Sequence, residues 1–149
     1  SGDTVWVGTR LGLFAAVPGE SDLLAPEAAR ASAAMQGSVV DLTWRADTLI
    51  ALLPDRLLWR DPATGRFTVG PLVGTILGRL HTVVSGPKVL YLAGEQGVGI
   101  TGLNVPLRRS LTIPGDLPGQ VTDLAVDDTW LWVGTLRGLV RFRLDAIGQ

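Results

Sequence analysis

Eight side chains scattered through the sequence have the chemistry to grip a polar ligand: Arg10, Arg56, Arg79, His81, Glu95, Gln96, Gln120 and Arg137. Arginines, glutamines and an acidic group together can bind a carboxylate, a sugar or a peptide through bidentate and charge-assisted hydrogen bonds. Asp41 and Asp123 form a second candidate set, because paired carboxylates can hold a cation or act as acid and base. An aspartate at the start of a strand also accepts hydrogen bonds from backbone or hydroxyl groups, and this structural role is the favoured reading. Catalytic constellations are thin. A single histidine and no cysteine leave only Ser/His/Asp schemes, and no Gly-x-Ser-x-Gly elbow is present. Gly94-Glu-Gln-Gly-Val-Gly99 is glycine-rich but lacks both the dinucleotide fingerprint and a Lys-Ser/Thr pair for phosphates. No catalytic residue, metal site or cofactor is expected.

The composition narrows the field further. Of 149 residues, 46% are hydrophobic and 18% charged, which opposes disorder. Thirteen basic against 14 acidic residues leave a net charge of −1, so a general nucleic-acid surface is not expected. The 19 glycines and 9 prolines break every apolar run before it reaches the ~18 residues of a membrane span. Ser1-Gly2-Asp3 does not open a signal-peptide pattern, so the chain is expected to be either untargeted or a processed or excised piece. Twelve arginines against the single Lys88, with abundant Ala, Gly and Leu, accord with a GC-rich bacterial genome.

The elements that must position these residues come from an internal repeat. Asp3-Thr-Val-Trp-Val-Gly-Thr-Arg-Leu-Gly-Leu-Phe14 and Asp128-Thr-Trp-Leu-Trp-Val-Gly-Thr-Leu-Arg-Gly-Leu-Val140 are near-copies, with Val7 matching Val133. Weaker copies put Ala51 and Leu92 at the same position, so the steps are 44, 41 and 41 residues. Val39-Val-Asp-Leu-Thr-Trp44, Leu80-His-Thr-Val-Val84 and Val121-Thr-Asp-Leu-Ala-Val126 keep the same register, with Asp41, Thr82 and Asp123 ten residues before each anchor. A period near 41 built of short strands predicts all-β propeller blades of four antiparallel strands, lettered a to d from the innermost outward.

Strand a is the Val-Thr-Asp-Leu-Ala-Val type and strand b the Leu-Trp-Val-Gly-Thr type. Strand c follows a glycine-bearing turn, as in Gly138-Leu-Val-Arg-Phe-Arg-Leu144 with its period-2 alternation. Strand d is read at Phe67-Thr-Val-Gly70 and at Leu107-Arg-Arg-Ser-Leu-Thr-Ile113, and Asp61-Pro-Ala-Thr-Gly65 is the turn before the first of these. Residues 26–36 divide the argument, because register asks for an outer strand and composition for a short helix; the strand is favoured.

These residues resemble the two-component regulator propeller repeat, found in sensor domains of bacterial hybrid histidine kinases and related standalone proteins. Trp130 to Thr135 with Gly138-Leu139, and Val5 to Thr9 with Gly12-Leu13, match its core. Leu57-Leu-Trp-Arg-Asp-Pro-Ala-Thr-Gly-Arg-Phe67 matches its third strand and turn. Ala51-Leu-Leu53 stands where the motif has Val-Gly-Thr, and Tyr91 replaces the tryptophan in the third copy. The resemblance implies a sensor or binding propeller and a periplasmic or extracellular bacterial setting.

The expected organisation is a partial blade at 1–36, full blades at 37–77 and 78–118, and a partial blade at 119–149: about 3.5 blades of a larger or multi-chain propeller. A ring of four to eight blades closes, whereas an open arc exposes edges and apolar faces. The predicted partner is therefore the rest of a longer polypeptide or other chains, with a small-molecule, glycan or peptide ligand besides. Trp6 and Trp132 recur in register and are read as inter-blade packing; Trp130, at the head of a strand, is expected to be partly exposed. The b–c turns and the d-to-a connections fall on one face, around the central entrance, and carry the eight ligand candidates; a merely solvated rim is the plainer alternative. The expected function is a non-catalytic binding, sensor or scaffold module. The alternatives are a lyase or hydrolase using His81 or the two aspartates, and a purely structural assembly subunit.

Overall fold

The computed structural model describes residues 4–19, 37–103 and 105–148. Within them, thirteen strands form four antiparallel sheets, each a meander of sequence neighbours. The first sheet holds β1 (Val5–Thr9) and β2 (Gly12–Ala16). The second runs β3 (Asp41–Arg45), β4 (Thr48–Leu52), β5 (Arg56–Arg60) and β6 (Phe67–Leu72). The third runs β7 (Leu80–Ser85), β8 (Leu90–Gly94), β9 (Gly97–Thr101) and β10 (Arg109–Thr112). The fourth holds β11 (Val121–Val126), β12 (Trp130–Thr135) and β13 (Gly138–Arg143), followed by a single helical turn at Leu144–Ile147. These are propeller blades, and β3, β7 and β11 are the innermost strands. The 26–36 segment, read as an outer strand, lies outside the described residues.

Local chemistry explains where the strands turn. At Asp61-Pro-Ala-Thr-Gly65 the carboxylate accepts from Ala63 N–H at 2.9 Å and Thr64 Oγ1 at 2.7 Å, and the Gly65 N–H returns to the Asp61 carbonyl at 2.8 Å. This aspartate turn brings β6 back along β5. It also holds the Asp61 carboxyl below its ordinary value, the Thr64 hydroxyl contributing most.

The core lies between blades. Along β4, Leu49 and Ala51 face the first blade, while Ile50 and Leu52 face the third. Strands covered on both faces need apolar residues at every position, which is why Leu49-Ile-Ala-Leu-Leu53 and Leu90-Tyr-Leu-Ala93 read as unbroken apolar runs. The first interface joins Leu13 to Leu49, Ala51 and Leu58. The second joins Ile50, Leu52, Leu57 and Trp59 to Leu90 and Leu92. The third joins Tyr91, Ala93, Val98 and Ile100 to Leu131 and Val133. Each interface thus uses the same register positions, one period on.

Candidate functional site

The b–c turns and the d-to-a connections are tied together by backbone hydrogen bonds, which gathers them into one rim beside the innermost strands. Val39 N–H donates to the Thr9 carbonyl at 2.8 Å, and Leu80 N–H to the Pro54 carbonyl at 2.8 Å. Within blades, Glu95 N–H donates to the Arg79 carbonyl at 3.2 Å and Leu136 N–H to the Gln120 carbonyl at 3.0 Å.

Three groups of candidate residues emerge along this rim. The richest lies at the third blade. Arg79 N–H donates to Glu95 Oε2 at 3.3 Å, and Gln96 adjoins Glu95 in the β8–β9 turn. His81 is the half-buried second residue of β7; burial lowers its imidazole below the ordinary value, and the charges of Asp123, Asp41 and Glu95 oppose that shift. The second group pairs Gln120 with Arg137 through adjoining backbone; the Arg137 stem lies against Gly119, 3.3 Å from where a Cβ would stand. The third is Arg56, whose Nε and second amino group are both held by Asp55, each at 2.9 Å. That hydrogen-bonded carboxylate raises the guanidinium above its ordinary value. Arg56 therefore faces the rim with part of its donor set already used. Arg10 sits exposed in the β1–β2 turn and is joined to none of the others. Arg10, Arg79 and Arg137 are exposed, and among the described residues their guanidinium groups make no hydrogen bond.

Asp41 takes a positional role that the sequence suggested. Its Oδ1 accepts from Leu42 N–H at 2.9 Å, while Oδ2 accepts from Thr82 Oγ1 and from Val83 N–H, both at 2.8 Å. The carboxylate thus clasps the innermost strand of the next blade, and Thr82 is itself buried. Asp123, its repeat equivalent, accepts from Leu124 N–H at 2.8 Å, and its Oδ2 has no partner among the described residues. Replacing Asp41 with Ala strands a hydroxyl and an amide at a blade junction and is expected to cost about 2 kcal/mol. Asp123→Ala is expected to cost well under half of that in the same denaturant titration. Equal losses would show that the clasp contributes nothing.

The tryptophans divide by which face is covered. Trp6 packs into the first inter-blade cluster, edge-on to Phe67 at 6.4 Å. Trp59 is buried in the second cluster, and Trp44 is half exposed. Trp132, read as inter-blade packing, is in register with Trp6 but lies on a face that no described blade covers. There Arg141 stacks over Trp130 at 4.2 Å and Trp132 at 5.5 Å, and the Trp132 indole N–H donates to Asp127 at 3.0 Å. That bond, with those from Thr129 and Trp130 N–H, lowers the Asp127 carboxyl. The reading of Trp132 as inter-blade packing missed this stack. The alternation of Arg141 with Val140 and Phe142 was the available signal.

Among the described residues, no three His, Asp or Glu side chains converge as a metal site, and no helix is long and apolar enough to cross a membrane.

No protein-family model matches the chain, and no curated protein sequence matches it. Solved structures do match. The computationally designed Ika4 protein superposes with a TM-score of 0.70 at 15% identity, over 96% of this chain and 86% of that one. The extracellular domain of BT4673 from B. thetaiotaomicron, described as a one-component system, gives 0.68 at 15% identity, over 98% of this chain and 20% of that. The extracellular domain of the hybrid two-component system BT3049 from the same organism gives 0.66 at 22% identity, over 97% and 21%. The chain therefore spans about a fifth of these two natural neighbours. The likeness is one of fold: a run of propeller blades like those of bacterial sensor ectodomains, in agreement with the resemblance carried by the repeat residues.

Proposed function

We propose that the chain is a non-catalytic β-propeller module of the sensor or binding kind, whose rim takes a small carboxylate, a glycan or a peptide. The observation that carries this reading is the juxtaposition of exposed Arg79 with Glu95 and Gln96 at the entry to β7, whose second residue is His81. Cationic, acidic and imidazole groups at the entry to an innermost strand and in the turn beside it suit a ligand carrying both an anionic group and hydroxyls or amides. The likeness to sensor ectodomains supports an extracytoplasmic setting. Because the chain spans a fifth of those domains, the rim is one arc of an entrance that further blades, from a longer polypeptide or other chains, complete.

A thermal-shift screen with dicarboxylates, oligosaccharides and short acidic peptides tests the reading. A ligand at 100 times its Kd stabilises the fold by about 2.7 kcal/mol. Arg79→Ala is expected to weaken such a hit at least tenfold, and Arg108→Ala, on the blade's outer side, to leave it unchanged. A screen without hits, or hits indifferent to Arg79 and Arg137, would sink the rim as a binding site.

A further inference from the structure

Both halves of one more inter-blade interface are present on this chain, at opposite ends and uncovered among the described residues. On the outward face of the fourth blade, Leu139 is 67% exposed, whereas its register equivalents Leu13, Leu57 and Val98 are 4%, 1% and 0% exposed. On the outward face of the first blade, Val5 is 58% exposed, whereas its equivalents Leu49, Leu90 and Leu131 are 1%, 0% and 0% exposed. Trp132 tells the same story, half-buried where Ile50 and Tyr91 are wholly buried.

We propose that two copies of the chain associate head to tail, the fourth blade of each seating on the first blade of the other. The occupant is set by register. At the second interface Leu57 and Leu92 belong to one buried cluster. The corresponding pair at the new junction is Leu139 of one copy and Val7 of the second, so the contact continues a packing scheme that the fold already uses three times. The two surfaces differ, which makes the contact heterologous; two copies make it twice and close the ring. A three-stranded face six residues long covers about 290 Å² and a two-stranded face five residues long about 160 Å², so the four faces of a closed pair bury about 900 Å². That area approaches the ~1,000 Å² which marks a specific interface. Eight blades in all also lie within the four to eight of closed propellers. The proposal rests on the reading of the chain as an incomplete ring, and it names what completes it.

Light scattering on the purified chain is expected to give twice the 15.8 kDa chain mass. Leu139→Asp and Val5→Asp, both on exposed positions, are each expected to halve that mass while leaving the strand circular dichroism unchanged. Because the chain has no cysteine, Leu139→Cys and Val7→Cys can be introduced singly. Mixed under oxidation, the two variants are expected to cross-link, and Leu139→Cys alone is not. A monomer, an open-ended polymer, a pair that survives both aspartates, or cross-linking of Leu139→Cys to itself overturns the proposal. In a monomer, hydrogen exchange separates the two failures. Rapid exchange in β1 and β13 leaves the incomplete-ring reading standing, and slow exchange there removes it too.

Discussion

Gly97→Ala is expected to be among the most damaging single substitutions in the chain, costing about 3 kcal/mol or more. Gly97 opens β9 with φ +140°, a region that side-chain-bearing residues rarely adopt. A Cβ there would also run into the Leu111 carbonyl oxygen on β10, which belongs to the ladder and cannot step aside. Strain and collision add, because relieving one by rotating the backbone breaks the pairing of Gly97 with Thr112 and Gly94. Gly138→Ala makes the control. Its φ is +120°, yet a Cβ would meet nothing within 4 Å, so only the strain remains. Urea titrations of the two variants should differ by more than 1 kcal/mol; comparable losses would mean that the β10 carbonyl plays no part.

Leu92→Ala is expected to cost 2–5 kcal/mol, roughly the range for emptying a leucine-sized site in a tightly packed core. Leu92 is fully buried between the second and third blades, among Ile50, Leu52, Leu57 and Leu90. Its neighbours belong to two sheets whose strand pairings fix their separation, so the walls cannot collapse into the space. A loss below about 1 kcal/mol in equilibrium unfolding would show that the blades slide together, and the rigid-sheet picture would fail.

Much of this architecture is legible in the residues themselves. Ala51 and Leu92 carry little motif identity, yet their spacing placed β4 and β8 correctly, because a strand between two blades needs only apolar bulk at each position. The Asp61 turn was equally readable, since its side-chain acceptors are local. What spacing cannot convey is which sheet face has a neighbour. Trp6 and Trp132 are the same residue in the same register, and one packs against a blade while the other carries Arg141. The rim was partly legible: the turns converge, but the ion pair that occupies Arg56 depends on the Asp55 rotamer, and no periodicity reports that. Arg10 occupies the same b–c turn as Arg137, three repeats earlier, and yet stands apart from the other candidates.

The Asp41 clasp reaches Thr82 and Val83, residues 41 and 42 positions on, and each apolar interface likewise joins one repeat to the next. A contact whose reach equals the repeat length is indifferent to how many repeats there are. A duplication of 41 residues would therefore add a blade that arrives with its own clasp and its own neighbour-facing leucines, and a deletion of that length would remove one cleanly. An insertion of ten residues within a strand would have no such tolerance. Growth and loss by whole modules leave every inter-blade contact of this kind in place, and only closure of a ring counts the blades.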